Sequence, residues 1–170
     1  LHPANTLSLH DALPILRAKI IDKLSIKGNE IALDVGCGRG LMLNGVASKL
    51  NSGRAYGIDI WNSKDESGNN YEATMRNAKI EGTESKIEVV NSDMKKMPFH
   101  DGYFDIIVSS LAIHNLKNDE ERKKALIEIT RVAKKGCKLA ILDIAHIKYY
   151  ESILSNQGFD IERSEEHTSE

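Results

Sequence analysis

The stretch IALDVGCGRG, residues 31–40, sets the fold of this 170-residue chain. Four of its first five residues are apolar, which is typical of a strand that is buried on both faces of a sheet. Three glycines follow at every second position, and residues 41–50 then return to helical spacing. The pattern predicts a strand, a tight glycine turn and a helix. Such a turn lets a ligand approach bare backbone beside the N–H groups of the helix start.

The spacing of the glycines narrows the choice of ligand. Gly36 and Gly38 fit the dinucleotide pattern G-x-G-x-x-G, but its third glycine position holds Leu41. With Gly40 at the end and Asp34 ahead, the run resembles the D-x-G-x-G-x-G motif of class I S-adenosylmethionine-dependent methyltransferases. A strand–helix turn with spare glycines is the alternative.

Composition sets broad limits. The length suggests one domain, and 41% hydrophobic and 28% charged residues are typical of a globular chain. The net charge of −2 gives no sign of nucleic-acid binding, and no apolar run approaches the roughly 18 residues of a membrane span. Cys37 and Cys137 have no metal-ligand spacing and suggest no disulfide framework, so we expect a cytoplasmic protein.

Both ends of the chain look foreign to it. Residues 6–15 (TLSLHDALPI) and 163–170 (RSEEHTSE) resemble translations of short-read sequencing adapters. We therefore expect residues 1–15 and 163–170 to be non-native flanks around a methyltransferase domain at 16–162, itself a fragment of a longer gene. Natural polar tails are the alternative.

Helical and strand patterns alternate along the remaining chain. We predict helices at 16–26, 71–82, 119–133 and 146–156, strands at 54–60, 87–90, 103–110 and 137–144, a loop at 62–70, and the start of a sixth strand at 159. The alternation predicts an α/β fold, a Rossmann-like, doubly wound, mostly parallel sheet in a single domain. In the resembled family further strands complete the sheet, so we expect its C-terminal strands to be truncated here.

The second strand ends in Asp59, 19 residues after Gly40. The resemblance implies that this carboxylate accepts the ribose hydroxyls of the cofactor, with Ile60 beside it. An aspartate that only ends a strand and caps a turn is the alternative. Trp61 follows, and it either walls the adenosine pocket or packs as a half-buried side chain.

The third predicted strand is followed by Ser92, Asp93 and Met94, which the resemblance places near the adenine. For Asp93 the alternative is a helix N-cap. The runs MPF at 97–99 and FDII at 104–107 strengthen the resemblance, which extends over residues 31–144.

The segment SSLAIHN, residues 109–115, lies where the resemblance places the methyl acceptor. Ser109 would reach the cofactor, and His114 is the titratable side chain suited to proton transfer near neutral pH. A histidine that packs or caps the next helix is the alternative, and Asp143 is a weaker candidate for contact with the acceptor. The segment lacks the [DN]-P-P-[FYW] motif of amine-methylating DNA enzymes, and neither cysteine follows a proline, as cytosine C5 methylation would need.

Every candidate follows the end of a predicted strand, and ligands of such sheets bind outside the carboxyl ends of the strands. The resemblance assigns these residues to S-adenosyl-L-methionine: Asp34, Gly36, Cys37, Gly38, Gly40, Asp59, Ile60, Ser92, Asp93, Met94 and Ser109. It implies methyl transfer by in-line displacement, without a metal, to a small-molecule acceptor that is not identified; enzymes of quinone biosynthesis are among those it resembles.

Two other classes stay open at this point. A nicotinamide-dependent oxidoreductase is opposed by Leu41 at the third glycine position and by the missing Tyr-x-x-x-Lys pair. A non-catalytic module that binds S-adenosylmethionine is favoured if the fragment lacks the parts that shape the acceptor pocket.

Overall fold

The computed structural model describes residues 8–61 and 71–163. The predicted loop at 62–70 lies outside the described residues, as do residues 1–7 and 164–170 of the two predicted flanks. Within the described ranges, no helix is both long and apolar enough to span a membrane.

Five strands form one sheet in the order β3-β2-β1-β4-β5, and every neighbouring pair is parallel. The strands are β1 (Ile31–Val35), β2 (Arg54–Asp59), β3 (Ile87–Asn91), β4 (Phe104–Ser110) and β5 (Ala133–Leu142). The helices are α1 (Leu9–Lys23), α2 (Leu41–Ala47), α3 (Tyr71–Glu81), α4 (Asp119–Val132) and α5 (Ile147–Asn156). The predicted α/β fold with a parallel, Rossmann-like sheet in one domain is confirmed.

The core has two layers, one on each face of the sheet. Ala32 packs with α1, α2 and α3 in one cluster, whereas its neighbour Leu33 packs with α4 and α5 in the other. Successive residues of a strand point to opposite faces, so an apolar run such as β1 is needed where both faces are covered. Phe104 and Tyr150 are among the largest fully buried side chains of the second layer.

Helix α1 begins at Leu9 rather than at residue 16, so it includes part of the predicted non-native flank. Ser8 caps it, because its side chain accepts a hydrogen bond from the Asp11 N–H. The helix ends at Lys23 rather than at 26, and Ser25 adopts a left-handed φ of 47°.

Strand β5 was predicted to start at 137 but starts at Ala133, immediately after α4. Ala133 pairs with Phe104 and Lys138 pairs with Ile106, so the four residues between them form a bulge. The predicted turn at Gly136, whose φ is 84°, is therefore an irregularity inside the strand. The sixth strand predicted from 159 is wrong for the described residues, since 159–163 have no regular secondary structure.

Candidate functional site

A cleft of about 500 Å³ opens at the carboxyl end of β1. The chain builds β2 and β3 on one side of β1 and then crosses to β4 on the other, so this is the point where the strand order reverses. Its volume is within the range of small-molecule sites, roughly 300–1,000 Å³. Of the residues predicted for the cofactor, the cleft is lined by Asp34, Gly36, Cys37, Gly38, Asp59 and Met94.

The glycine turn depends on left-handed backbone at alternate positions. Gly36, Gly38 and Gly40 have φ angles of 73°, 50° and 88°, a region that favours glycine. A Cβ on Gly36 would lie 2.4 Å from the Cβ of Ala112, so the turn packs directly on the segment after β4. A Cβ on Gly38 would meet no heavy atom within 4 Å. Gly38 therefore leaves bare backbone facing open space in the cleft.

Asp59 fixes this turn as well as lining the cleft. Its Oδ2 accepts a hydrogen bond of 2.7 Å from the Gly38 N–H, and its Oδ1 accepts one of 2.7 Å from the Ile60 N–H. Thr74 on α3 holds the turn from the other side by donating from Oγ1 to the Gly38 carbonyl at 2.6 Å. The carboxylate at the tip of β2 is thus locked in one orientation beside the turn.

Asp34 is the buried charge of the site. It is 2% exposed, it accepts a hydrogen bond from the Leu43 N–H, and its Oδ1 is buried without a partner among the described residues. Burial, together with the nearby Asp59 carboxylate, raises the pKa of Asp34 to about 7. An unpartnered carboxylate oxygen in a buried place suits a cationic donor such as an ammonium group.

Cys37 is a packing residue within the cleft wall. A Cβ on Gly57 would lie 2.9 Å from its Sγ, so the thiol fills the space beside β2. Burial and the carboxylates of Asp34 and Asp59 raise the pKa of this thiol well above its ordinary value. It is accordingly a neutral thiol, not a nucleophile.

Five predicted cofactor residues are not among the residues that line the cleft: Gly40, Ile60, Ser92, Asp93 and Ser109. Asp93 holds its own turn, since Oδ1 accepts a 2.8 Å hydrogen bond from the Lys95 N–H and the Lys95 Nζ lies 3.7 Å from Oδ2. No helix lies between β3 and β4, so this contact closes a turn and is not the helix N-cap of the alternative. Trp61 packs edge-on against Tyr71, with ring centroids 6.4 Å apart.

Ser109 is 2% exposed and donates from Oγ to the Val35 carbonyl at 2.8 Å, which ties β4 to β1. Its neighbour Ser110 lines the cleft instead, because adjacent strand residues point to opposite faces. The sequence predicted where β4 ends, but not which of its last side chains points into the cleft.

Several wall residues were missed by the sequence analysis. Leu111, Ala112 and Asn115 lie within the predicted acceptor segment but were not singled out, Leu116 follows that segment, and Leu13 falls in the predicted non-native flank. Leu111 has a left-handed φ of 53°, which is uncommon for a branched side chain and is typical of strained backbone at functional sites.

His114 is not among the residues that line the cleft; it lies in the short 3-10 turn Ile113–Asn115, between the lining residues Ala112 and Asn115. Its Nδ1 lies 2.5 Å from the Asp143 Oδ1, within ion-pair distance but without the alignment of a hydrogen bond. The Asp143 side chain is only 1% exposed, and its Oδ2 accepts hydrogen bonds from the His114 N–H and from the Tyr150 hydroxyl, both 3.0 Å long. The Asp143 carboxylate therefore faces His114. Because its side chain is buried, it is not accessible for the contact with an acceptor that we expected.

A family model described as a methyltransferase domain matches residues 33–141, which include the glycine turn, Asp59 and the segment after β4. The chain belongs to the S-adenosylmethionine-dependent methyltransferases. The predicted family is confirmed, and with it S-adenosyl-L-methionine as the cofactor on which the family depends.

The names of curated relatives of this methyltransferase domain describe enzymes that act on small molecules. A sterol 4-C-methyltransferase of Caenorhabditis elegans is 32% identical over 143 residues, which are 84% of this chain and 40% of that protein. A demethylmenaquinone methyltransferase of Lactobacillus johnsonii is 28% identical over 130 residues, 75% of this chain and 49% of that protein. The chain thus spans less than half the length of either relative.

A solved structure has the same fold. The crystal structure of an S-adenosylmethionine-dependent methyltransferase from Aquifex aeolicus aligns with a TM-score of 0.73 and 23% identity, over 92% of this chain and 86% of that one. The likeness extends over most of both chains, so the methyltransferase domain has the fold of its family.

A larger groove, of about 850 Å³, follows the outer edge of β5 and contains none of the residues predicted for cofactor binding or catalysis. It is a gap along a sheet edge, away from the carboxyl ends where such sheets bind ligands. We therefore assign the cofactor to the smaller cleft. In residues 8–61 and 71–163, no three His, Cys, Asp or Glu side chains are grouped so that they could hold a metal ion.

Proposed function

We propose that the cleft binds S-adenosyl-L-methionine and that this chain transfers the methyl group to a small-molecule acceptor by in-line displacement. The observation that carries the proposal is the pairing of a buried, unpartnered oxygen on Asp34 with the bare backbone of Gly38 in one cleft. When bound, the cofactor supplies a methyl group that is already activated by a positively charged sulfur.

The polar groups of the cleft divide between the two ends of such a molecule. The Asp34 Oδ1 would accept a hydrogen bond from the ammonium group of the amino-acid part, and the charge pair would favour the ionised form of this buried carboxyl. Gly38 lets the same part of the ligand lie against the backbone, since no side chain fills the space. Asp59 would accept the ribose hydroxyls at the tip of β2.

The adenine end rests on fewer contacts. Met94 lines the cleft and offers an apolar surface for a flat ring. Ile60, Ser92 and Asp93 stay predictions for this end, and for Asp93 the carboxylate already caps its own turn. We place the adenine against Met94 and give Asp93 a structural role.

The acceptor would enter beside the segment after β4. Ser110, Leu111, Ala112 and Asn115 line the cleft there, and they mix apolar and hydrogen-bonding groups as a small organic acceptor needs. His114 is next to them and would take up the proton that the acceptor loses. The residues need only hold acceptor and methyl group in line and keep water out.

The test is a methyl-transfer assay on the chain. The protein is incubated with S-adenosyl-L-methionine and a panel of sterols, hydroquinones, phenols and amines, and S-adenosylhomocysteine and methylated product are followed by mass spectrometry. We expect product formation with at least one class. Binding of S-adenosylhomocysteine without turnover on any acceptor would favour the non-catalytic module, and absence of binding would contradict the proposal.

A further inference from the structure

Asp143 and Tyr150 form a buried polar pair behind His114. The Tyr150 hydroxyl donates to the Asp143 Oδ2 at 3.0 Å, and Tyr150 itself is 2% exposed. Burial and the adjacent Asp143 carboxylate raise the pKa of Tyr150, so its hydroxyl stays a donor. The His114 backbone N–H donates to the same oxygen at 3.0 Å. Two donors therefore fix Oδ2 of Asp143, while Oδ1 accepts a 2.9 Å hydrogen bond from the Ile144 N–H and lies against the imidazole.

The two nitrogens of His114 are in different surroundings. Nδ1 is buried and lies 2.5 Å from the Asp143 Oδ1, while 22% of the His114 side chain is exposed. Nε2 makes no hydrogen bond within the described residues and is not among their buried, unpartnered atoms, so the exposed part of the ring carries it. Ala112, Asn115 and Leu116 on either side of His114 line the cleft. His114 itself is not among the lining residues, and Nε2, on the exposed edge of its ring, is the nitrogen that is open to an acceptor.

We propose that Asp143 is a positioning residue: it holds His114 with Nε2 as the proton acceptor for an acidic hydroxyl, a phenol or enol, of the molecule that is methylated. This inference rests on the proposed function and adds the acceptor class and the role of Asp143 to it. A carboxylate beside Nδ1 fixes the proton of the neutral ring on that nitrogen and compensates the positive charge that develops on the ring.

Proton transfer to His114 accompanies methyl transfer to the acceptor oxygen. The O–H bond of the acceptor breaks, its proton goes to Nε2 of His114, and the electron pair stays on oxygen. That oxygen forms the new bond to the methyl carbon, and the carbon–sulfur bond breaks with its electron pair left on sulfur. His114 then returns the proton to solvent through its exposed edge. An acceptor without an ionisable proton would gain nothing from this arrangement, which is why the geometry points to an acidic hydroxyl.

Asp143→Asn tests the positioning role without removing side-chain volume. Oδ2 receives two donors and Oδ1 receives one, the Ile144 N–H, so the amide oxygen is expected at Oδ2. The amide NH2 then takes the place of Oδ1, loses the Ile144 hydrogen bond and donates to Nδ1. We therefore expect the neutral His114 ring to carry its proton on Nδ1 in the parent protein and on Nε2 in the variant. Nitrogen-15 chemical shifts of the imidazole, assigned with His114→Gln and recorded with S-adenosylhomocysteine present, report the tautomer directly.

Asp105→Asn is the matched control. Asp105 lies near the amino end of β4, away from the carboxyl ends that carry the cleft, where its carboxylate accepts from the Ile31 N–H and contacts Lys134. The same substitution there should leave the His114 tautomer unchanged. If Asp143→Asn also leaves it unchanged in a folded protein, or if the parent ring already carries its proton on Nε2, the positioning role is overturned.

The acceptor class has its own readout. 4-Nitrophenol, a phenol whose ionised form is coloured, is added to the protein loaded with S-adenosylhomocysteine. We expect a bound phenolate band in the parent and in Asp105→Asn, and at least a tenfold weaker band in His114→Gln and Asp143→Asn. No bound phenolate in the parent, or a band retained in both His114→Gln and Asp143→Asn, overturns the acidic-hydroxyl assignment.

Calorimetry separates a failure of the proposed function from a failure of the role assigned to Asp143. If the parent protein does not bind S-adenosylhomocysteine in a calorimeter, the proposed function itself is contradicted. If it binds the ligand with equal affinity in the parent and Asp143→Asn while the tautomer or phenolate result is negative, only the present inference is overturned.

Discussion

Asp34 shows how a single buried residue links stability to ligand binding. Its carboxyl has a pKa near 7 instead of the ordinary 3.8, mainly because burial disfavours the ionised form. A cation bound at its free oxygen would reverse that cost. A ligand with an ammonium group should therefore stabilise the folded protein, because it favours the ionised Asp34 carboxylate.

The cost of ionising the buried Asp34 carboxyl makes the free energy of unfolding depend on pH. A carboxyl with a raised pKa in the folded state contributes stability that is fully present below about pH 4 and is lost as the pH rises through about 7. Asp34→Asn cannot ionise, so it should gain stability relative to the parent over this range, by roughly 1.4 kcal/mol per pH unit. Urea unfolding of both proteins without ligand, at about pH 5 and about pH 8, measures the difference. A difference that does not change with pH would contradict the buried, unpartnered carboxyl.

Asp59 has two tasks, and its removal should affect both. Asp59→Ala takes away the carboxylate that accepts the Gly38 N–H and that we place on the ribose. We expect S-adenosylhomocysteine binding to weaken by about 1.5–3 kcal/mol, the range for hydrogen bonds to charged groups. Calorimetric titration measures it, with Asp105→Asn as the control. Unchanged affinity would remove Asp59 from the site.

Residue types at strand ends could be predicted from the sequence, and their orientation could not. Asp34, Asp59 and Met94 line the cleft as expected, because the end of a parallel strand fixes where the next side chains lie. Ser109 and Asp93 do not, since the two-residue alternation of a strand and a local hydrogen bond decide where a side chain points.

At the scale of elements, the glycine turn joins three parts of the fold. It follows β1, is held by Asp59 of β2, and packs on Ala112 after β4. Because the turn and the segment after β4 touch so closely, small changes in either should move the cleft walls together.

Gly36 and Gly38 offer a matched pair of substitutions. Gly36→Ala adds a methyl 2.4 Å from Ala112 at a φ of 73°, so it should destabilise the protein by more than the roughly 1–2 kcal/mol of a left-handed residue alone. Gly38→Ala faces open space at a φ of 50°, so it should cost only about that amount but block ligand approach. Thermal unfolding and S-adenosylhomocysteine titration separate the two effects. Equal losses of stability would contradict the packing of the turn.

Element boundaries were predicted least well where tertiary contacts override local signals. The Lys-Lys-Gly run at 134–136 has the composition of a turn, but pairing with β4 carries the strand through it as a bulge. Helix α1 has its cap at Ser8 but contains Pro14 in its interior, where local propensity predicts a break in the helix. The resemblance to adapter sequence had set that stretch aside.

At the scale of the molecule, topology brings together residues that are far apart in sequence. The reversal of strand order between β1 and β4 gathers the glycine turn, Asp59, Met94 and the segment after β4 around one cleft. The alternation of helices and strands predicted a parallel sheet with its ligand outside the carboxyl ends of the strands, so the edge that holds the cleft was predictable, whereas the order of the strands was not. The strand at the edge of the sheet also determines which backbone groups are available for association with another chain.

Strand β5 ends the sheet and, among the described residues, pairs only with β4. A strand edge of this kind is a template for pairing with another chain, and exposed lysines such as Lys135 oppose it. We expect the protein to self-associate as its concentration rises, and Lys135→Ile to increase the associated fraction. Sedimentation velocity measures it, with Lys148→Ile on α5 as the control. A monomer at all concentrations with a cooperative melt would contradict the prediction.

The most direct test of the cleft is calorimetric titration of the parent chain with S-adenosylhomocysteine and, separately, with NAD. We expect one site for S-adenosylhomocysteine, with tighter binding than any binding of NAD. Tighter binding of NAD, or no binding of S-adenosylhomocysteine by the folded protein, would contradict it.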